Sequence, residues 1–434
     1  MFDPLKKVLN SLCGAFVVLL GSLADGEEPS LVDDIDPMIG TITVRSPDDF
    51  YGLGKTYPGA ATPLGMVQIS PDTITGGDNA SGYNYLTDSI EGFSLCHLSG
   101  TGWYGEMGNF QVMPTTGPLN TDRDKNRSKF SHENEEASAG YYAVDLARFQ
   151  IRVELTATQH AGFYRFTFPE SDRSRIQVDL ARRIGMKQRW LEHSRQHVEI
   201  LDPQTFQGWM DCPNSDGGWG QGAGGVSYRL HFFARLSKPM KSWGAWDKHA
   251  VSEQVREFEG TNTGFYAEFA TSADEQVMLK VGISLVDVAG AKNNLEQEIP
   301  DWDFQGTHQS CRKLWEDVLQ LVQFKGGSEA DRTIMATALY HSFLDPRSIV
   351  DADGRYRAAN GEIRKQQDFQ FRTIFSGWDA FRSHFPLLTI IRPDVIHDEI
   401  SSWIELAADT GKDYLPRWEM LHSYSGCMVG NPAV

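Results

Sequence analysis

Trp378 and Asp379 stand side by side, and Arg382 follows three residues later, one helical turn on. A carboxylate accepts hydrogen bonds from hydroxyls, an indole gives a flat apolar wall, and a guanidinium can orient the acid or reach a hydroxyl itself. The trio suits a neutral, hydroxyl-rich ligand; it also suits a helix-start aspartate beside a core tryptophan, with the arginine in a structural ion pair. Glu419, which follows Arg417-Trp418, either accepts from hydroxyls or pairs with a base such as Arg417. The segment from His97 to Glu106 is rich in glycine, which permits tight turns and close backbone approach. His97, Trp103, Tyr104 and Glu106 lie within it; His97 also suits a satisfied structural histidine, and Glu106 a solvated acid. Asp351-Ala-Asp353-Gly354 opens like a calcium loop but lacks the later ligands, and reads as an exposed turn.

These groups need a scaffold of more than one core, because 434 residues exceed a single ordinary domain. A formal charge of -18 argues against a phosphate backbone as partner, which needs a basic field. The 11 tryptophans offer flat faces of the kind sugars stack against, or simply fill cores.

From about Ile35 to Val288, short alternating segments are punctuated by Gly, Pro, Asn and Asp. Gly65 to Ile69, Tyr142 to Leu146, Gly162 to Phe168, Ser227 to Arg235 and Gln276 to Ser284 are examples. Period-two alternation predicts antiparallel strands, and so many of them predict a large β-sandwich, placed at residues 33–290. After Asn293 the period lengthens. Phe304, Cys311, Leu314, Trp315, Val318, Leu319 and Val322 form the stripe of a helix packed on one side. Ser328, followed by Glu329 and Asp331, is an N-cap for a helix through Ile334 and Tyr340. Further helices are expected at Trp378 to Ile391, kinked at Pro386, and at Asp394 to Ala408. A helical domain is therefore placed at residues 291–434.

At the N-terminus, Lys6-Lys7 precede an apolar run from Val8 to Leu20 and small residues at Gly21 and Ala24, the pattern of a secretory signal over residues 1–28. The run is too short to span a bilayer, so a secreted or periplasmic protein without a membrane span is expected. Cys96, Cys212, Cys311 and Cys427 are spaced too widely for a zinc motif; one bridge or free buried thiols fit them. No feature sets an oligomeric state.

A series of runs carries a resemblance. Asp36-Pro-Met-Ile-Gly-Thr41, Lys55-Thr-Tyr-Pro-Gly-Ala60, Pro63-Leu-Gly-Met-Val-Gln68, Ser81-Gly-Tyr-Asn-Tyr85, His97-Leu-Ser-Gly-Thr-Gly102 and Phe130-Ser-His-Glu-Asn-Glu135 come first. Ala338-Leu-Tyr-His-Ser342, Asp353-Gly-Arg-Tyr356, Trp378-Asp-Ala-Phe-Arg382, Leu415-Pro-Arg-Trp-Glu419 and Cys427-Met-Val-Gly430 follow in the same order. Together they resemble glycoside hydrolase family 92, the calcium-dependent exo-acting α-mannosidases. The resemblance implies a multidomain β + α fold, an N-terminal antiparallel β-sandwich followed by an (α/α)6 barrel, incomplete within these 434 residues, with the site in the cleft between them. It implies mannose-containing glycans as substrate, calcium as cofactor, and α-1,2 linkages if Trp103 is the tryptophan placed against the leaving sugar. It also implies that Asp379 takes hydrogen bonds from the terminal mannose while Trp378 shapes the pocket, and that the acid, the base and the main calcium carboxylates come from later helices. Ser423-Tyr-Ser-Gly426 departs from the family's Asn-Glu-Thr-Asn. With the acid, base and main calcium ligands implied to lie in later helices, impaired turnover is expected, and the alternatives are a mannose-binding module, a chain that does not fold stably, or deglycosylation at the glycan's amide linkage.

Overall fold

The computed structural model describes residues 30–42, 54–73, 81–100, 107–184, 194–213 and 226–424. The expected signal sequence, Trp103, Tyr104, Glu106 and Cys427 lie outside them. All described residues but Ser30 belong to one compact unit, Leu31–Val434.

Alternation along Glu275–Ser284 sends Val277, Leu279, Val281 and Ile283 into the main core, while Met278 and Lys280 face the other way. This strand is the centre of a nine-stranded antiparallel sheet, ordered Glu257–Thr261, Arg195–Asp202, Thr205–Cys212, Tyr228–Leu236, Glu275–Ser284, Ala161–Phe168, Ile151–Ala157, Tyr141–Leu146 and Glu136–Ser138. An eight-stranded sheet runs Ala60–Ala61, Gln68–Asp72, Gly92–Ser94, Gln111–Thr116, Ser171–Asp179, Gly264–Thr271, Ser242–Trp246 and Val251–Glu253. Both sheets feed one apolar core; Phe206 of the first meets Phe265 of the second with ring centroids 4.7 Å apart.

Helix α1 (Val288–Glu298) begins directly after the last strand, capped by Asp287 accepting from the Gly290 amide at 2.6 Å. It lies close on the nine-stranded sheet, where a Cβ at Gly282 would sit 2.2 Å from the Ala291 carbonyl. Helix α2 (Phe304–Leu319) buries Cys311 and Trp315, and the Trp315 indole donates to the Ala61 carbonyl at 2.6 Å. Helix α3 (Glu329–Ser342) starts at Ser328 with a full capping box to Asp331. Tyr340 of α3 lies 4.4 Å from Trp315, in a second core with Val32, Tyr57, Leu388 and Val395.

Three expectations are corrected. Trp378 to Ile391 is two helices, α4 (Gly377–Ala380) and α5 (His384–Ile391), and Pro386 sits in the first turn of α5, where its missing N–H costs no intrahelical bond. Helix α6 runs Pro393–Thr410, with Pro393 as its first residue. Asp351 is buried, not in an exposed turn: its carboxylate accepts from Ser284 Oγ at 2.7 Å and Asn294 Nδ2 at 2.9 Å, tying the chain after α3 to the strand and helix at the sandwich border.

Candidate functional site

A cavity of about 580 Å³ opens where Ser99 and Gly100, from the sandwich, meet the end of α3, the strand Phe375–Ser376, α4 and α5. Its polar groups include Ser99, His341, Asp345, Asp379 and His384, and Trp418 closes one side.

Asp379 stands at the wall through local capping. Ser376 Oγ accepts from the Asp379 amide at 2.9 Å and donates to its carboxylate at 3.0 Å, and the Trp378 amide donates to the Arg417 carbonyl at 3.0 Å. Gly377 lets α4 approach α6, since a Cβ there would lie 3.1 Å from the Trp403 ring. The Asp379 side chain is exposed and borders the cavity. Arg382 stacks over Trp378, 5.1 Å from the ring centroid.

His341, Asp345 and His384 escaped the sequence reading as cavity groups; His341 lay inside a quoted run, but nothing local showed which way it faced. Burial pushes His341 down to about 4, so a neutral imidazole faces the cavity, 3.4 Å from Thr56 Oγ1. Burial also lowers His384, whose Nε2 lies 2.8 Å from the Ser342 carbonyl. A carbonyl only accepts, so Nε2 carries the proton and Nδ1 is left as an acceptor. Asp345 is held above the usual carboxylate range by burial, against the opposing pull of Arg347.

His97 does not line the cavity. Its ring is fully buried, with Nδ1 3.0 Å from the Gln68 carbonyl and Nε2 2.9 Å from Asp72 Oδ1. Glu419 lies within the wall behind Ile374, fully buried. It accepts from Thr373 Oγ1 at 2.9 Å, the Ile374 amide at 2.8 Å and the His422 amide at 2.7 Å, so its partners are a hydroxyl and two amides and not a base. Burial pushes it up to about 7. Glu399 on α6 was missed: it is buried, neither oxygen has a hydrogen-bond partner among the described residues, and burial pushes it up to about 8. Its position between Val395, Ser402 and Trp403 on the inner face of α6 was the available signal.

The cavity thus combines neutral imidazoles, hydroxyls and one exposed carboxylate, a set matched to hydroxyl groups and not to a strongly charged ligand. The glycosyl hydrolase family 92 N-terminal domain model matches residues 34–284, and the catalytic domain model of the same family matches residues 290–434. The chain belongs to glycoside hydrolase family 92. A family 92 α-mannosidase of Bacteroides thetaiotaomicron superposes with a TM-score of 0.84 at 29% identity, covering 94% of this chain and 54% of that one. Its complex with mannoimidazole gives 0.84 at 30% identity, covering 93% and 52%. A protein of Arthroderma benhamiae named an uncharacterized secreted glycosidase is 28% identical over 362 residues, 76% of this chain and 43% of its own length. The family 92 chain therefore spans about half the length of these relatives. Among its described residues, no helix is long and apolar enough to cross a membrane, and no group of three or more His, Cys, Asp or Glu side chains could hold a metal ion.

Proposed function

We propose that this family 92 chain is exported and holds the terminal mannose of a glycan in the cavity, as the sandwich and opening helices of an exo-acting α-mannosidase whose full (α/α)6 barrel these helices begin. The observation that carries the reading is the exposed Asp379 carboxylate on a cavity whose other polar groups are neutral imidazoles, hydroxyls and Asp345, the last held by Arg347, among apolar side chains. Asp379 accepts from two ring hydroxyls, His384 Nδ1 accepts from a third group, and Trp418 limits the ring's position.

Hydrolysis with inversion needs an acid and a water-holding base about 6.5–9.5 Å apart. Asp345 has both oxygens on Arg347, and Glu419 is enclosed in the wall, so neither of them serves as the acid or the base, and the opposed pair comes from other residues. Calcium requires about six to eight oxygen ligands. The described residues hold no group of three or more His, Cys, Asp or Glu side chains that could supply such a set.

Titration of the purified chain with α-1,2-mannobiose, with mannose release followed in the same samples, tests the reading. Saturable binding with little release is expected. Absence of binding would overturn it, and full family-like release would overturn the assignment of a binding role alone. A mannose-binding module without turnover remains the second reading, favoured by Asp345 being engaged by Arg347.

A further inference from the structure

A second groove, of about 480 Å³, lies on the flank of the nine-stranded sheet between the turn at Asp202 to Thr205, Arg235 and Trp302, and shares no lining residue with the Asp379 cavity. Trp302 sits in the short connection between α1 and α2. Its loop is locked from below: Lys280 Nζ donates to the carbonyls of Ile299 at 2.7 Å, Pro300 at 3.2 Å and Asp301 at 3.1 Å, and lies 4.6 Å from the Trp302 ring centroid. Phe163 backs the indole, 6.1 Å away. The half-buried ring is therefore a fixed platform at the groove.

The polar groups around it keep hydrogen-bonding capacity. One oxygen of Asp202 accepts from the Gln204 amide at 2.7 Å, and the other has no partner among the described residues. Gln204 spends its Nε2 on the Leu236 carbonyl at 3.1 Å, and its side-chain carbonyl has no partner among the described residues. Arg235 donates to Glu296 at 2.8 Å through one nitrogen and retains further N–H groups. Glu296 offsets the Arg235 charge and the Asp202 carboxylate lines the same groove, so an anion gains no net attraction there.

We propose that this groove is an auxiliary binding site for a neutral polysaccharide, one hexose ring resting on Trp302 while Asp202, Gln204 and Arg235 take its hydroxyls. An aromatic platform flanked by planar polar groups matches a pyranose, which has an apolar face and a hydroxyl rim. An open groove suits a chain passing across it more than an enclosed small molecule. The site goes beyond the cavity reading and does not depend on it.

Native electrophoresis of the full chain through gels containing soluble α-mannan, and separately a neutral β-glucan, tests this. Retardation in at least one gel is expected. It should persist in Asp379→Asn and weaken roughly five- to ten-fold in Trp302→Ala, the loss of a stacking contact of about 1–1.4 kcal/mol. Asp202→Ala, at an exposed turn, should also weaken it and decides the matter if Trp302→Ala melts early. No retardation in either gel, retardation abolished by Asp379→Asn, or wild-type mobility in Asp202→Ala and a folded Trp302→Ala would each overturn the site. Such a failure leaves mannobiose binding at the cavity untouched, so the two readings fail separately.

Discussion

Arg347 grips both oxygens of Asp345, at 2.8 and 3.1 Å, and the same guanidinium donates to the His97 carbonyl at 2.8 Å. The sandwich and the cavity wall are thus joined through one fully buried cation. Replacing Arg347 by Met should leave the Asp345 charge uncompensated and destabilise the fold by about 3–5 kcal/mol, read as a lower urea midpoint. A midpoint within error of wild type would show that the pair does not hold the wall.

Asp379 is exposed, and its work is proposed to be binding. Asp379→Asn should therefore change stability by no more than about 0.5 kcal/mol while weakening mannobiose binding by about 1–3 kcal/mol, roughly 5- to 150-fold in Kd. Calorimetric titration beside a thermal melt separates the two. Unchanged affinity would remove Asp379 from the site.

Burial raises Glu399 to about 8 and Glu419 to about 7, from ordinary values of 4.5. The charged groups facing Glu399 are Arg372, itself held by Asp398 at 2.7 Å, and Glu419. A folded value above the unfolded one means stability fully present below about pH 4.5 and lost as pH climbs to the folded value, at about 1.4 kcal/mol per pH unit for each group. Between pH 5 and 8, wild type should therefore lose stability relative to Glu399→Gln. Parallel urea midpoints for the two proteins across that range would refute the assignment.

His160 sits with Nδ1 2.5 Å from Glu298 and Nε2 2.7 Å from the Val350 carbonyl, binding the sandwich to the chain after α3. Burial works against its charge, yet the Glu298 carboxylate holds it above the usual histidine value, while Glu298 itself is lowered. The His160 contribution is complete below about pH 6.5 and fades as pH rises through the raised value; that of Glu298 is present above about pH 4.5. Glu298→Gln should cost about 1–3 kcal/mol at pH 6 and less at pH 9. An equal cost at both values would point to packing in place of charge.

The local readings rested on short-range physics, and there the chain was legible. Alternation along Ala161–Phe168 and Glu275–Ser284 exposes one face to the core and one to helix α1, and the apolar stripe from Phe304 to Leu319 needs only a 3.6-residue turn. Ser328 caps α3 with Asp331, three residues away. The family, too, is written in ordered short runs.

The environment of each acid and histidine was not. Glu399 and Asp398 are neighbours on one helix, yet among the described residues one is buried without a hydrogen-bond partner and the other pairs with Arg372. His97 turns from the cavity to Asp72, and Arg347 reaches His97 across 250 residues of sequence, much as Trp315 reaches Ala61 across 254. Sequence alone determined the long alternating strands of the sandwich and the helices α2 and α3, because backbone periodicity and capping act within a few residues, whereas the short strands between Arg347 and Tyr424 carry no such period. Which carboxylate meets solvent, and which is sealed into a wall, was decided by the tertiary structure, because desolvation depends on segments that only folding brings together.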